Sequence, residues 1–230
     1  MKLLLSLLLT LLALPCQAAP SPEQILEAFF GPDPGGTSEQ RSAAYTGEMK
    51  ERYWEEPTAG QMMAPGRHYT ARRLPLAPAD APVYAVKTSH EAFSTDWYAY
   101  FVRDDGVLKL RAIRWMAQLG MSCDDKKDES LRLACLPDSD RLAHFRGQLG
   151  ALDALKAAID TRDSSASEAR MHVLHFNGWE HNKLGQLEIR LVDKVGVLHV
   201  PPGEKPPPIV ETDHIYIEQI SGPWHLYKRM

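Results

Sequence analysis

Asp96 to Trp115 reads DWYAYFVRDDGVLKLRAIRW, two apolar runs joined by Asp104-Asp105-Gly106. Asp-Gly between such runs is the strongest short-range hairpin signal, because a tight turn needs positive φ and glycine adopts it without steric cost. Tyr98, Tyr100 and Val102 share one face of the outgoing strand, and Leu108, Leu110 and Ala112 form the expected matching row on the return. Trp97, Ala99 and Phe101 load the opposite face, so the outgoing strand is expected to be covered on both sides. Lys109, Arg111 and Arg114 mark the return strand as half buried. A shortened version of this shape closes the chain as Asp213 to Lys228, DHIYIEQISGPWHLYK.

Towards the N-terminus, RRLPLAPADAPVYAVKTSH reads as an edge strand, a turn and a second strand, since proline cannot donate in a central ladder. Further back, Ser21-Pro22-Glu23 opens a helix with a capping residue and a first-turn proline, and Ile25, Leu26 and Phe29 recur at helical spacing up to Gly31-Pro32. GPDPGG is a loop, Ser38 to Tyr53 is helical, and Gly60 to Gly66 is a connector. Towards the C-terminus, residues 120–137 read as a charged, turn-rich joint. Beyond it Leu149, Leu152, Leu155 and Ile159 form the apolar stripe of a helix, with Gly147 and Gly150 breaking its start. TRDSSASEA reads as a loop, and MHVLHF, QLEIRLV and VGVLHV read as strands. The fold class is therefore α+β, helices packed on curved antiparallel sheets. The pattern admits two similar halves, 19–119 and 138–230, on either side of the joint.

The order of helix, then sheet ending in a hairpin that carries Asp105-Gly106-x-Leu108-Lys109-Leu110 or Gly222-Pro223-Trp224-x-Leu226-Tyr227, resembles the cystatin-like or NTF2-like (nuclear transport factor 2) domains. The resemblance implies a cone-shaped sheet wrapped on a helix in each half. It brings no catalytic motif, and that group ranges from enzymes to binding modules, so fold alone assigns no function.

The first residues, MKLLLSLLLTLLALPCQAA, follow the secretory pattern of a basic residue, an apolar run and small residues at the end, with cleavage expected after Ala18. Pro15 before Cys16 argues against an acylated lipoprotein cysteine. The expected location is periplasmic or secreted, with no membrane span once residues 1–18 are removed. The chain holds 26 basic and 30 acidic residues and no basic block, which argues against nucleic acid as a partner. Without Cys16 two cysteines remain, Cys123 and Cys135. They are expected to form a structural disulfide worth about 3 kcal/mol by loop closure. Their spacing is not that of a CxxC redox or zinc pair.

Candidate chemistry is sparse. His172, His175 and His181, with Trp179, invite a zinc reading, but on a strand His172 and His175 point to opposite faces and cannot share an ion. His90, Ser94 and Asp96 hold the three residue types of a hydrolase triad, yet no GxSxG elbow accompanies them. Glu51, Glu55 and Glu56 read as a solvated helix face, and GPDPGG lacks the lysine of a phosphate loop. Tyr84, Trp97, Tyr98, Tyr100, Phe101 and Trp115 fit either a cone pocket or a packed core. No catalytic residue, cofactor or metal ligand is assigned. The expected function is a non-enzymatic binding protein of the bacterial envelope, inhibitor-like or immunity-like, that engages a protein partner through His172, His175, Trp179 and His181. The alternative is a small-molecule binder or hydrolase-like enzyme with an NTF2-like pocket.

Overall fold

The computed structural model describes residues 19–31, 38–53, 68–90, 93–115 and 128–230. Residues 1–18, read as a leader, with Cys16, residues 32–37 of the GPDPGG loop and its exit, Glu55 and Glu56, the connector Gly60 to Gly66, Cys123 and residues 120–127 of the joint lie outside them. Cys135 is disulfide-bonded.

Three helices open the described chain: α1 (Pro22–Phe30), α2 (Ser38–Ala44) and α3 (Gly47–Tyr53). Helix α1 starts where the sequence says it should. Ser21 and Gln24 form a capping box, with Gln24 N–H donating to Ser21 Oγ at 3.3 Å and Ser21 N–H donating to Gln24 Oε1 at 2.8 Å. A meander follows, β1 (His68–Arg73), β2 (Val83–His90), β3 (Phe93–Asp104) and β4 (Val107–Trp115), antiparallel in spatial order 1-2-3-4. Asp105 and Gly106 both take positive φ, 51° and 78°, as the two central residues of the predicted β3–β4 hairpin.

The expected matching row on β4 is divided by a bulge. Tyr100 pairs with Ala112 but Phe101 pairs with Leu110, so Arg111 is an extra residue in the ladder. Ala112 therefore joins Tyr98 and Tyr100 on one face, whereas Leu108 and Leu110 turn to the other face with Ala99 and Phe101. Strict period-two counting cannot anticipate an inserted residue. That second face packs on Ile25, Leu26, Phe29, Phe30, Tyr45 and Met49 of the N-terminal helical segment. Sheet one is thus covered on both faces.

The joint is more ordered than its composition suggests. Asp128 caps α4 (Glu129–Ala134), accepting from Leu131 N–H at 3.2 Å, and Leu133 and Ala134 enter the core. Helices α5 (Asp138–Arg146) and α6 (Leu149–Asp160) separate at Gly147 as expected, whereas Gly150, also expected to break the helix, lies inside the first turn of α6. The stretch read as loop plus strand is instead helix α7 (Ser164–Val173). Asp163 caps it, accepting from Ala166 N–H at 3.0 Å. It ends in a Schellman motif: Phe176 N–H reaches Met171 O at 2.9 Å and His175 N–H reaches His172 O at 3.2 Å, with His175 at φ 60°. The strand reading of MHVLHF failed because histidine stands where glycine normally announces a helix stop.

A five-stranded antiparallel sheet completes the fold: β5 (Gly178–His181), β6 (Leu187–Val192), β7 (Val195–His199), β8 (His214–Ser221) and β9 (Trp224–Arg229), in order 5-6-7-9-8. In the first sheet β3 is interior and β4 is the edge. In the second, the corresponding β8 is the edge and β9 is interior, so the two hairpins occupy reversed positions. The halves also share one core. Leu74, Val83, Tyr98, Tyr100 and Ala112 pack with Leu142, Phe145, Leu155, Ile189, Ile217, Trp224 and Leu226. Each such buried large apolar side chain contributes about 1.5–3 kcal/mol of transfer free energy. Among the described residues no helix is long and apolar enough to cross a membrane.

Candidate functional site

The β5–β6 hairpin and the start of β8 frame a polar cleft of about 360 Å³. The turn forms because Asn182 Oδ1 accepts from Leu184 N–H at 2.9 Å and Gln186 N–H at 3.0 Å, while Gly185 takes φ 77°. This places Glu180, His181, Asn182, Lys183 and Leu184 on one wall. Asp213, His214 and Arg229 form the other, with Pro207 and Pro208 beside them.

Beneath the cleft lies Glu188, whose side chain is fully buried. Its Oε1 is 3.0 Å from His214 Nε2 and its Oε2 is 3.2 Å from Arg229 Nη1. Burial opposes ionisation of Glu188, but the His214 hydrogen bond and the Arg229 charge outweigh it and hold its carboxyl below the usual range. An ionised carboxylate only accepts, so His214 donates from Nε2. Arg229 also reaches Asp213 at 3.1 Å and Glu180 at 3.5 Å, and Glu180 meets Arg190 at 3.3 Å. Among the described residues the buried His214 Nδ1 has no hydrogen-bond partner, while the Asn182 side chain faces the Glu188 carboxylate and helps hold it ionised. Asp213 Oδ2 stands 3.4 Å from His214 Nδ1, close enough for charge attraction but outside hydrogen-bond geometry.

Of the residues singled out in the sequence, His181 lines this cleft and Trp179 stands next to it. Their rings meet edge to face at 5.7 Å. Trp179 is 38% exposed and Leu184, across the turn, 56%. His172 and His175 are not brought there. They are exposed on the last turn of α7 and just past its end, where Ser130 Oγ donates to His175 O at 2.6 Å. Among the described residues no three histidine, cysteine or carboxylate side chains gather in metal-binding geometry.

A second polar cluster, missed in the sequence, is buried between the sheets. Lys228 Nζ, fully enclosed on β9, lies 2.7 Å from Asp138 Oδ1 and 3.9 Å from Asp96 Oδ2, and donates to Tyr98 Oη. Its ammonium also stands 5.0 Å from the Tyr98 ring and 5.5 Å from the Tyr216 ring. Tyr98 Oη donates to Asp138 Oδ2 at 2.6 Å, Arg141 Nη2 donates to Asp138 Oδ1 at 3.0 Å, and Asp138 N–H donates to Asp96 Oδ2 at 2.9 Å. Burial would raise the Asp138 carboxyl, but Lys228 and Arg141 hold it below the ordinary range. Burial lowers Lys228. Burial, then the charge of Asp138, raises Asp96.

Asp96 thus caps α5 from a strand 42 residues earlier in the chain. Two carboxylates, one lysine and one arginine balance formally, as a buried group must. The arrangement ties β3, α5 and β9 together. With its lysine sealed from solvent it reads as a structural clamp, and the surface cleft is the candidate site. One signal was available: at period two Lys228 continues the apolar row of Trp224 and Leu226.

Tyr98, Tyr100 and Phe101, candidates for a cone pocket, are core residues at 0%, 3% and 2% exposure, and Tyr100 Oη donates to Ile215 O of the second sheet at 2.6 Å. The remaining route to an assignment, likeness to known proteins, is silent: no family model, curated protein or solved structure matches this chain.

Proposed function

We propose that this chain is an exported protein of the bacterial envelope that binds another protein without catalysing a reaction on it, as an inhibitor or immunity protein does. The observation that carries the reading is the pairing of exposed Trp179 and Leu184 with the cleft lined by His181, Asp213, His214 and Arg229. A rigid aromatic at the surface beside a concave polar site is the usual anatomy of a binding hot spot. The secretory leader and the expected Cys123–Cys135 bridge supply the compartment. The alternative, a small molecule held in a sheet cone, requires an open sheet face, and Tyr98, Tyr100 and Ala112 fill that face with core packing.

The test is site-specific photo-crosslinking in the native bacterium, with the reactive residue replacing Trp179 or His181 in the full-length chain. A discrete protein adduct from both positions, absent when the residue replaces exposed Glu39 on α2, supports the proposal. Equal labelling from all three positions, or none from 179 and 181, removes it.

A further inference from the structure

Among the described residues the two sheets have four edges, and they are not treated alike. On β4, Tyr45 bridges Leu110, and Thr46 N–H donates to Leu110 O at 3.0 Å. On β8, Ile215 O accepts from Tyr100 Oη, and Ile220 O accepts from Arg146 Nε at 3.2 Å. Strand β1 carries His68, Arg72 and Arg73, the kind of charge that blunts an edge. Strand β5 has no such cover from other segments among the described residues and is blunted only by its four-residue length and by Glu180. Its hydrogen-bonded pairing with β6 runs through even-numbered residues, as Asn182 N–H donating to Gln186 O at 2.9 Å shows, with Glu180 opposite Glu188. The alternation of an antiparallel ladder then turns the N–H and C=O of Trp179 and His181 outward. Among the described residues no backbone or side-chain group meets them.

We infer that β5 receives an extended segment of the protein partner as a sixth strand on the second sheet. This rests on the function proposed above and adds the mode of recognition. Two outward residues offer four backbone hydrogen bonds, and backbone pairing is the chemistry that an extended polypeptide satisfies. The side-chain chemistry of the guest follows from the two faces of β5. Beside Trp179 it carries an apolar or aromatic residue, the favoured cross-strand neighbour. Towards the cleft it carries an uncharged polar residue. The lining charges Glu180 and Asp213 are balanced by Lys183 and Arg229, so the cleft offers no net charge for a charged guest side chain to answer.

A second copy of this chain does not fit the same edge. In the two-fold antiparallel register that uses all four bonds, Trp179 of each copy faces His181 of the other. Glu180 then stands directly opposite Glu180, and like charges in that position are destabilising. A four-residue strand also spans only roughly 13 Å, too little for the roughly 800 Å² per partner of a stable dimer. A foreign segment can continue along the Asn182–Leu184 turn and into the cleft.

The experiment pans the full mature chain against a random linear dodecapeptide library and measures binding of the selected peptides by titration. His181→Pro removes an outward N–H that β6 does not use, so the fold is kept while docking is lost. At least tenfold weaker binding is expected in His181→Pro, against a smaller change in His181→Ala. If His181→Pro melts early, hydrogen exchange on the unmodified protein replaces it. Bound peptide should slow exchange of the Trp179 and His181 amides at least tenfold and leave Glu180 unchanged. The inference is overturned if no peptide is selected, if His181→Pro binds as well as the parent, or if protection appears elsewhere. It is also overturned if sedimentation shows a dimer that His181→Pro dissolves, since the edge then belongs to a second copy. Crosslinks from Trp179 that persist in His181→Pro would retain the binding function and discard only strand addition.

Discussion

Replacing Lys228 by methionine removes one charge from the clamp while keeping the length of the side chain. Asp138 would lose its 2.7 Å partner, Tyr98 Oη its donor, and the Tyr98 and Tyr216 rings their cation, at a position where Lys228 itself is 0% exposed. Asp96 and Asp138 would be left facing Arg141 alone, an uncompensated buried carboxylate. Breaking a buried pair from one side costs about 3–5 kcal/mol, whereas replacing both members by apolar groups is often neutral. For a chain of this size that is a fall in melting temperature of about 6–20 °C.

The assay is urea and thermal unfolding of Lys228→Met, Asp138→Asn and the double variant, followed by near-ultraviolet circular dichroism. The double variant should recover more than about 1 kcal/mol of the summed losses, because the second change removes the charge that the first left stranded. The pH profile adds a sign. Asp138 is held below its usual range, so its contribution is complete above about pH 4, where the unfolded carboxyl ionises, and is lost as pH falls through the folded value. Asp96, raised, works the other way: the native state takes up its proton at higher pH than the unfolded chain, partly offsetting that loss. Asp138→Asn should therefore flatten the acid limb. A loss in Lys228→Met below about 1 kcal/mol, the worth of an exposed pair, would refute the clamp.

Three further outcomes are expected. Glu188→Gln keeps the shape beneath the cleft but weakens the hold on His214 and Arg229, at a cost of about 1–3 kcal/mol in denaturant titration, with a shallower acid limb because Glu188 also ionises below its usual range. Gly196→Ala places a Cβ 2.0 Å from Ile189 O on the paired strand, so β6 must move and stability should fall by about 1–3 kcal/mol or expression should fail. Peptide mapping without reductant should recover Cys123 linked to Cys135, and Cys123→Ser should cost about 3 kcal/mol in the same titration.

Much of the architecture could be read from local signals. Asp105-Gly106 specifies a two-residue turn whose geometry depends on those two residues, and Ser21 with Gln24 specifies a helix start within one turn. Such features satisfy their own backbone groups nearby, so neighbours in sequence are enough to predict them. The same locality misled at MHVLHF. Val173 and Phe176 have strand propensity, and the distant cap at Asp163 with the turn at His175 made the segment helical. Arg111 misled in a related way, because a bulge is a property of two paired strands.

The candidate site was half legible. Trp179 and His181 were visible as an aromatic and a titratable residue in a polar stretch, while Asp213, His214 and Arg229 lie more than 30 positions later and reach the cleft only because β8 and β9 join the same sheet. The sequence by itself determined turns, caps and which strands carry two apolar faces, since those depend on steric and hydrogen-bond preferences spanning a few residues. Only the tertiary structure decided that the two halves share one core, that Lys228 finds Asp138 and Asp96, and that β5 keeps an open edge. Each depends on groups brought together by long-range packing, where burial converts a modest surface attraction into an interaction the fold cannot lose.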